Sequence, residues 1–389
     1  MKISKNSELL SSVYGRIDGL ILAIPLQIKN FPYESYFREL IEVFGTDKEI
    51  LLFYPKAEND KQAEEFSEIL NSLQKPMLYF IASGVKQLNP WTRDAFLSLK
   101  TADKRTLLLT TCSQPQNRYL AGELIKVKEN ISWQSVNLNL TGGNILKADQ
   151  YALFGNANAN KDIDVLKSCL GDIDYIPIVS DYKMSGFRAE GKTTSDGFIN
   201  FYSAFDRHQG IFHIDLFITL AGAENGIEYI LIAEPVLGFI PNDDTAADLL
   251  EFANLIINET AKVINSIISN LEKNTQRKFT VIRNPMPLIV FEEFRYDLGK
   301  WQRNWNWASF NNCLVEIYNR DSKKIKNVWL PNYKVAGMGI SLLPTFTIQN
   351  KFIFEALGFS VFQMKNDYSL LANMRGSLHC ITNIIYRID

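Results

Sequence analysis

The sequence predicts one large α/β domain, and three observations carry that expectation. Short apolar runs rich in β-branched and aromatic residues recur from end to end; amphipathic stretches of helical spacing lie between several of them; and no Gly/Ser/Pro-rich or charge-dense linker divides the 389 residues. At about 150 residues per domain the length alone would suggest two or three domains. Unbroken alternation favours a single catalytic-size domain over residues 1–389. A doubly wound parallel sheet would be the default for such alternation, but its nucleotide signatures are missing. Neither G-x-G-x-x-G after a strand nor G-x-x-x-x-G-K-[ST] occurs, so Gly-rich phosphate binding has no support. No fixed-period sequence repeat is visible, although structural repeats can exist without sequence similarity.

Taken in order, residues 19–28 form the first long apolar run, interrupted by Pro25 and Gln27. It falls short of the roughly 20 apolar residues a membrane helix needs, and no small-residue cleavage site follows it, so it reads as a buried strand. Residues 33–44 and 60–73 place apolar side chains at helical spacing with Glu and Lys on the outer face. The runs 50–54, 77–81 and 106–110 read as strands, as do 229–233, 279–282 and 327–330. The longest helix is expected over residues 244–273. There Leu249, Leu250, Ala253, Ile256, Ile257, Val263, Ile264, Ile267, Ile268 and Leu271 form a wide apolar stripe, and Asp243, Asp244 and Thr245 stand where an N-cap belongs. Trp301, Trp305 and Trp307 make an aromatic cluster, read as core packing ahead of a binding rim.

Composition narrows the function classes. Forty-one Lys plus Arg against 43 Asp plus Glu give a formal net charge of −2, which supplies no basic footprint for nucleic acid or an anionic membrane. With no membrane-length apolar run the expected location is cytoplasmic. Cys112, Cys169, Cys313 and Cys380 lie far apart without a C-x-x-C pair, which argues against a disulfide framework and a zinc ribbon alike. The sequons at Asn130, Asn139 and Asn258 then carry no meaning.

With three histidines only, chemistry that needs imidazole is confined to His208, His213 and His379. His213 and Asp215 fall in a strand-like alternation, F-H-I-D-L-F over residues 212–217, which would put imidazole and carboxylate on one face. His379 directly precedes Cys380. Cys380 and His213 are therefore the candidates for a nucleophile and its acid/base partner. The plainer readings are a hydrogen-bonded surface pair for H-x-D and an inert core thiol for Cys380. A zinc site drawn from His208, His213, Asp215 and a distant His379 or Cys380 is a minority option, because no H-E-x-x-H or paired-Cys spacing supports it. Two more segments matter: N-P-W-T-R-D-A-F over 89–96, an acid beside a Trp after a strand, and L-T-G-G-N-I-L over 140–146, where paired glycines open a strand. Each alone reads as a turn or bulge.

Together, W-x-x-D, T-G-G-N, H-x-D and a late H-C-x-T-N occur in the order that resembles the guanidine-modifying enzymes of the pentein superfamily. These include peptidyl-arginine, agmatine and arginine deiminases and amidinotransferases, and the resemblance spans Trp91 to the end, about three quarters of the chain. It implies a five-bladed α/β propeller of ββαβ units around a central active site. It further implies Cys380 as nucleophile, His213 as general acid/base, and Asp94 and Asp215 as the carboxylates that grip a guanidinium. Charge-assisted, paired hydrogen bonds from a planar cation to two carboxylates suit that task. The resemblance implies no metal and no cofactor.

Within the superfamily the details are most similar to the peptidyl-arginine deiminases. Residues 114–118 (Q-P-Q-N-R) resemble the stretch that holds an arginine for the substrate's peptide carbonyl, which would be Arg118. Thr141 before the glycine pair matches that group, where agmatine deiminases commonly carry Glu. Trp91 would line the channel around the substrate's aliphatic part, and Gly142 and Gly143 would border the bound guanidine. The expected activity is thus hydrolysis of arginine residues in a peptide or protein to citrulline, with ammonia released. The alternatives are a small-molecule deiminase acting on agmatine or free arginine, an amidinotransferase, and a catalytically dead binding protein. Vertebrate relatives take calcium through a Gln before the first Asp and a Glu three residues after it; Arg93 and Leu97 stand there, which implies a calcium-independent, stand-alone catalytic domain.

Overall fold

Among the described residues one order of elements recurs five times: two paired strands, a helix, and a third strand beside the second. The computed structural model describes residues 7–25, 33–57, 59–84, 88–111, 118–138, 140–155, 159–182, 192–193, 199–200, 213–241, 246–295, 300–334 and 339–388. Two compact units divide the chain. The first comprises Met1–Pro177, Val315–Asn327 and Leu378–Asp389, the second Ile178–Leu314 and Val328–Ser377.

In the first unit the chain runs β1 (Glu8–Leu9), β2 (Arg16–Ala23), α1 (Tyr33–Phe44), β3 (Glu49–Pro55), α2 (Asp60–Ser72) and β4 (Leu78–Ser83). Strands β2, β3 and β4 are parallel, and β21 (Asn383–Ile388) pairs antiparallel with β2, giving the order β21-β2-β3-β4. Parallel strands covered on both faces read as continuous apolar runs. That explains the run in β2, where Leu20, Ile21, Leu22 and Ala23 are all buried. The second repeat is β5 (Leu97–Lys100), β6 (Thr106–Thr110), α3 (Arg118–Val127) and β7 (Ile131–Ser135), in a sheet ordered β1-β5-β6-β7. The third is β8 (Ile145–Lys147), β9 (Tyr151–Phe154), α4 (Ala159–Leu170) and β10 (Asp174–Pro177). In both, the first two strands are antiparallel and the third is parallel to the second. A core of Ile21, Phe53, Phe96, Leu108, Leu120 and Leu124 joins β2, β3 and β6 to α3. Burying a side chain such as Phe96 contributes about 1.5–3 kcal/mol.

The second unit holds the largest sheet. It contains β11 (Lys192–Thr193), β12 (Ile199–Asn200), β13 (Ile218–Glu224), β14 (Ile227–Pro241), α5 (Ala246–Asn274), β15 (Phe279–Arg295), β16 (Lys300–Trp307) and β19 (Gly339–Ser341), ordered β11-β12-β16-β15-β14-β13 with β19 on β14. The fourth repeat lies here, β13 and β14 antiparallel and β15 parallel to β14 across α5. The apolar face of α5 buries Leu249, Ala253 and Ile256 against Leu288, Val290 and Trp305. Leu250, expected in that stripe, is 42% exposed, because the buried positions follow the 249, 253, 256, 264, 267, 271 spacing of one helix face. The fifth repeat is β17 (Leu314–Arg320), β18 (Lys323–Asn332), α6 (Leu343–Ala356) and β20 (Ser360–Asp367), ordered β17-β18-β20 and followed by α7 (Ser369–Asn373). Asp321 and Ser322, with φ of 51° and 62°, form the two-residue turn between β17 and β18, and the division between the units passes through β18.

Helix α1 spans the residues expected, α2 ends one residue early, and each of the six apolar runs coincides with or lies within a strand, save that β4 begins one residue later than expected. The expected N-cap residues Asp243, Asp244 and Thr245 lie outside the described residues. Trp305 is core and stacks at a tilt on Phe252, ring centroids 5.7 Å apart, while Trp307 packs beside it and is half-buried. No described helix is long and apolar enough to cross a membrane.

Candidate active site

The residues singled out in the sequence sit in the tight turns that lead into the first strand of successive repeats. In the first unit, Thr92–Asp94 is a single 3-10 turn before β5, closed by Asp94 N–H to Trp91 O (3.2 Å) and Ala95 N–H to Thr92 O (3.0 Å). Ala95 and Phe96 then enter the core, which anchors the turn from behind. Gly142–Asn144 is the matching turn before β8. Its Gly143 N–H donates to Asp94 Oδ1 at 3.1 Å, a charge-assisted bond. Arg93 reaches the same turn from the other side, with Nε donating to Gly142 O (3.1 Å) and Nη2 to Ile145 O (3.3 Å). A Cβ on Gly142 would lie 1.9 Å from Arg93 O, so only glycine admits this approach.

Cys380 occupies the turn before β21. Thr382 Oγ1 closes that turn by donating to Leu378 O (3.0 Å) and His379 O (3.2 Å). Three bonds tie it to the Asp94 turn and the residues that follow: Arg93 N–H donates to Cys380 O at 3.2 Å, and Asn383 Nδ2 donates to Thr92 O (2.8 Å) and Phe96 O (3.0 Å). Carboxylate and thiol are thus held on adjacent turns of one unit, Asp94 7% and Cys380 4% exposed. The H-C-x-T-N motif acquires a physical reading, since Thr382 shapes the Cys380 turn and Asn383 fastens it.

In the second unit, His213 is extended (φ −122°, ψ 147°) and Ile214–Leu216 is a 3-10 turn before β13. The strand expected over residues 212–217 therefore does not form over the described part, residues 213–217, and the shared-face argument for His213 and Asp215 fails. The reason is local: Leu216 N–H bonds back to His213 O and Phe217 N–H to Ile214 O, both at 3.1 Å, while Ala233 N–H takes Phe217 O at 2.8 Å. His213 and Asp215 are both buried. Burial pushes the Cys313 thiol up to about 12, the Asp215 charge adding to that against a hydrogen bond with Thr219.

Of the remaining expectations, Trp91 is half-buried next to the Asp94 turn, Thr141 directly precedes the glycine turn, and Arg118 is the first residue of α3. Residues 114–117, Cys112 and His208 lie outside the described residues. The structure brings Asp94, Gly142, Gly143 and Cys380 together within the first unit, and His213 with Asp215 within the second. Sequence reasoning missed the bracing role of Arg93, legible there only as a departure from a calcium ligand, and that of Asn383, which stood inside a motif without a task.

No protein-family model and no curated protein matches the sequence. Solved structures do match it. An agmatine deiminase from C. jejuni aligns over 98% of this chain and 97% of its own at 14% identity with a TM-score of 0.59. A structural genomics target described as a candidate agmatine deiminase aligns over 98% of both chains at 15% identity and 0.63. A dimethylarginine dimethylaminohydrolase covers 94% of this chain and 99% of its own, at 11% identity and a score of 0.35 too low to weigh. The chain therefore shares the α/β fold, built of several small sheets, of the structures described as agmatine deiminases.

Proposed function

We propose that the protein is a hydrolase of small guanidine compounds, an agmatine-type deiminase, and that its five sheets are the blades of the α/β propeller implied by the motif resemblance. The observation that carries the activity is the bracing of a buried carboxylate turn against a buried thiol turn, Asp94 beside Cys380, in a fold shared with structures described as agmatine deiminases. The carboxylates of Asp94 and Asp215 would accept the guanidinium N–H groups and keep the substrate cationic, so that its central carbon is electrophilic. The Cys380 thiolate attacks that carbon; His213 gives a proton to the departing nitrogen, ammonia leaves, and a covalent thiouronium remains. Water, deprotonated by His213, attacks the same carbon, the C–S bond breaks, and a ureido product and the thiol are released. None of these steps calls for a metal ion.

A second reading, deimination of arginine residues in a peptide or protein, is favoured by Thr141 before the glycine pair and by the Q-P-Q-N-R stretch ending in Arg118. It takes second place because the structures sharing the fold are described as agmatine deiminases. Ammonia release from agmatine, free arginine and a blocked arginine peptide ranks the two. Agmatine turnover that disappears in Cys380→Ala is the expected result; full activity in that variant, or no product from any guanidine compound, would overturn the assignment.

A further inference from the structure

The turn that begins the fifth repeat, residues 308–313 before β17, holds neither acid, imidazole nor exposed thiol. It offers Ser309, Asn311 and Asn312, all buried, and its polar atoms run to the turn that carries Asp215. Ser309 Oγ donates to Leu216 O and accepts Asn312 N–H at 3.2 Å. Asn312 Nδ2 donates to Asp215 O at 3.5 Å. Just beyond, Thr219 Oγ1 donates to Asn311 O (3.0 Å) and Oδ1 (2.8 Å). The backbone that leaves Asp215 towards β13 is therefore tied at three successive places to this one turn.

The turn is itself braced. Tyr333 O–H donates to Ser309 O at 2.7 Å, and Asn311 Nδ2 donates to Asn284 Oδ1 of β15 at 3.2 Å. Asn284 Nδ2 continues to Asn350 Oδ1 on α6 at 3.0 Å. Every one of these groups is neutral. Buried amides and hydroxyls that satisfy one another fix a backbone rigidly, without the field that a charged brace would impose on the carboxylate they surround.

From this juxtaposition we infer that Ser309 and Asn312 are positioning residues that set the Asp215 carboxylate for its substrate; the inference rests on the guanidine-hydrolase reading above. A gripping carboxylate tolerates displacement of only about 0.5 Å. A clamp on the carbonyls of Asp215 and Leu216 provides that tolerance, since the first holds the peptide unit that follows the functional side chain and the second holds the next one.

The test uses the full chain and two readouts. In Ser309→Ala and Asn312→Ala, hydrogen exchange of the Leu216 and Phe217 amides should quicken by about tenfold, and the agmatine KM should rise about tenfold or more while kcat falls less. Ser309→Thr, which keeps the hydroxyl, should restore both. Ile256→Val, a core truncation under α5, serves as the structural control and should leave exchange at the turn and KM unchanged while lowering Tm. Exchange and KM that stay at wild-type values in both alanine variants, with only Tm reduced, would overturn the inference. Should Asn312→Ala not fold, Ser309→Ala decides alone. If the wild type hydrolyses no guanidine compound, the functional reading falls, and unaltered exchange at residues 216–217 in the variants would still separately refute the clamp.

Discussion

The Asp94 turn and the Asp215 turn occupy the same place in their repeats, each a single 3-10 turn leading into a first strand, yet they are secured by different chemistry. The first is held by the Arg93 guanidinium, a glycine pair whose backbone comes against it, and the Asn383 amide. The second is held by neutral hydroxyls and amides from one neighbouring turn. The fold supplies the location in both cases. What differs is how much each hold depends on close backbone approach, and that difference ranks the ways to break them.

Gly142→Ala should have the largest effect. A methyl group 1.9 Å from Arg93 O cannot be accommodated without moving one turn off the other. Misplacement of about 1 Å near a reacting group costs roughly 100-fold in rate, and overpacking of this kind about 1–3 kcal/mol in stability. Ammonia-release kinetics and urea unfolding check both numbers, while exchange at residues 216–217 should stay as in the wild type. Next comes Asn383→Ala, which strips a buried donor from Thr92 O and Phe96 O. Leaving buried carbonyls unsatisfied costs about 1–3 kcal/mol, to be read from the urea midpoint. Arg93→Lys should be milder, reducing activity by about tenfold, because an ammonium cannot reproduce the two-carbonyl fork of the guanidinium.

The smallest effect sharpens the comparison from the other side. Cys313 is the last residue of the neutral turn, and burial pushes its thiol up to about 12. An unfolded thiol titrates near about 8.5, so the folded state keeps the proton longer. Its contribution to stability is complete below about pH 8.5 and is lost as the pH climbs towards about 12. Cys313→Ala should flatten the fall in stability above about pH 9, followed by urea midpoints across pH, and the native Cys313 peptide should stay unalkylated at pH 8 by mass spectrometry.

Much of this was legible in the sequence where local signals and burial agree. Helix α1 and strand β6 appear at the residues their spacing predicts, and the order of four short motifs pointed to Asp94, the glycine pair, Asp215 and Cys380. The five-fold recurrence was legible only through the motif resemblance and not as a sequence period, because its helices differ greatly in length, α5 running over 246–274 and α3 only over 118–127, and one copy of the unit takes its first strand from the other end of the chain. The conformation at His213 was misread for a related reason. Alternating apolar and polar residues describe a strand and an extended residue followed by a tight turn equally well, and the local bonds that close the turn over residues 213–217 leave no mark on that alternation. Ser309 and Asn312 gave no signal at all, since buried Ser and Asn identify themselves only by what they touch.

Strand β21 pairs with β2 across almost the whole length of the chain and begins three residues after Cys380. In a polypeptide read out from its first residue, β2 exists long before its antiparallel neighbour does, with the backbone N–H and C=O groups of one edge unpaired. Closing that edge is a contact of very high sequence separation, which makes it a slow event in folding. The thiol is delivered to Asp94 by the same event. The Cys380 turn, tied to the Asp94 turn through Arg93 and Asn383, is therefore fixed in place only once this long-range pairing has formed.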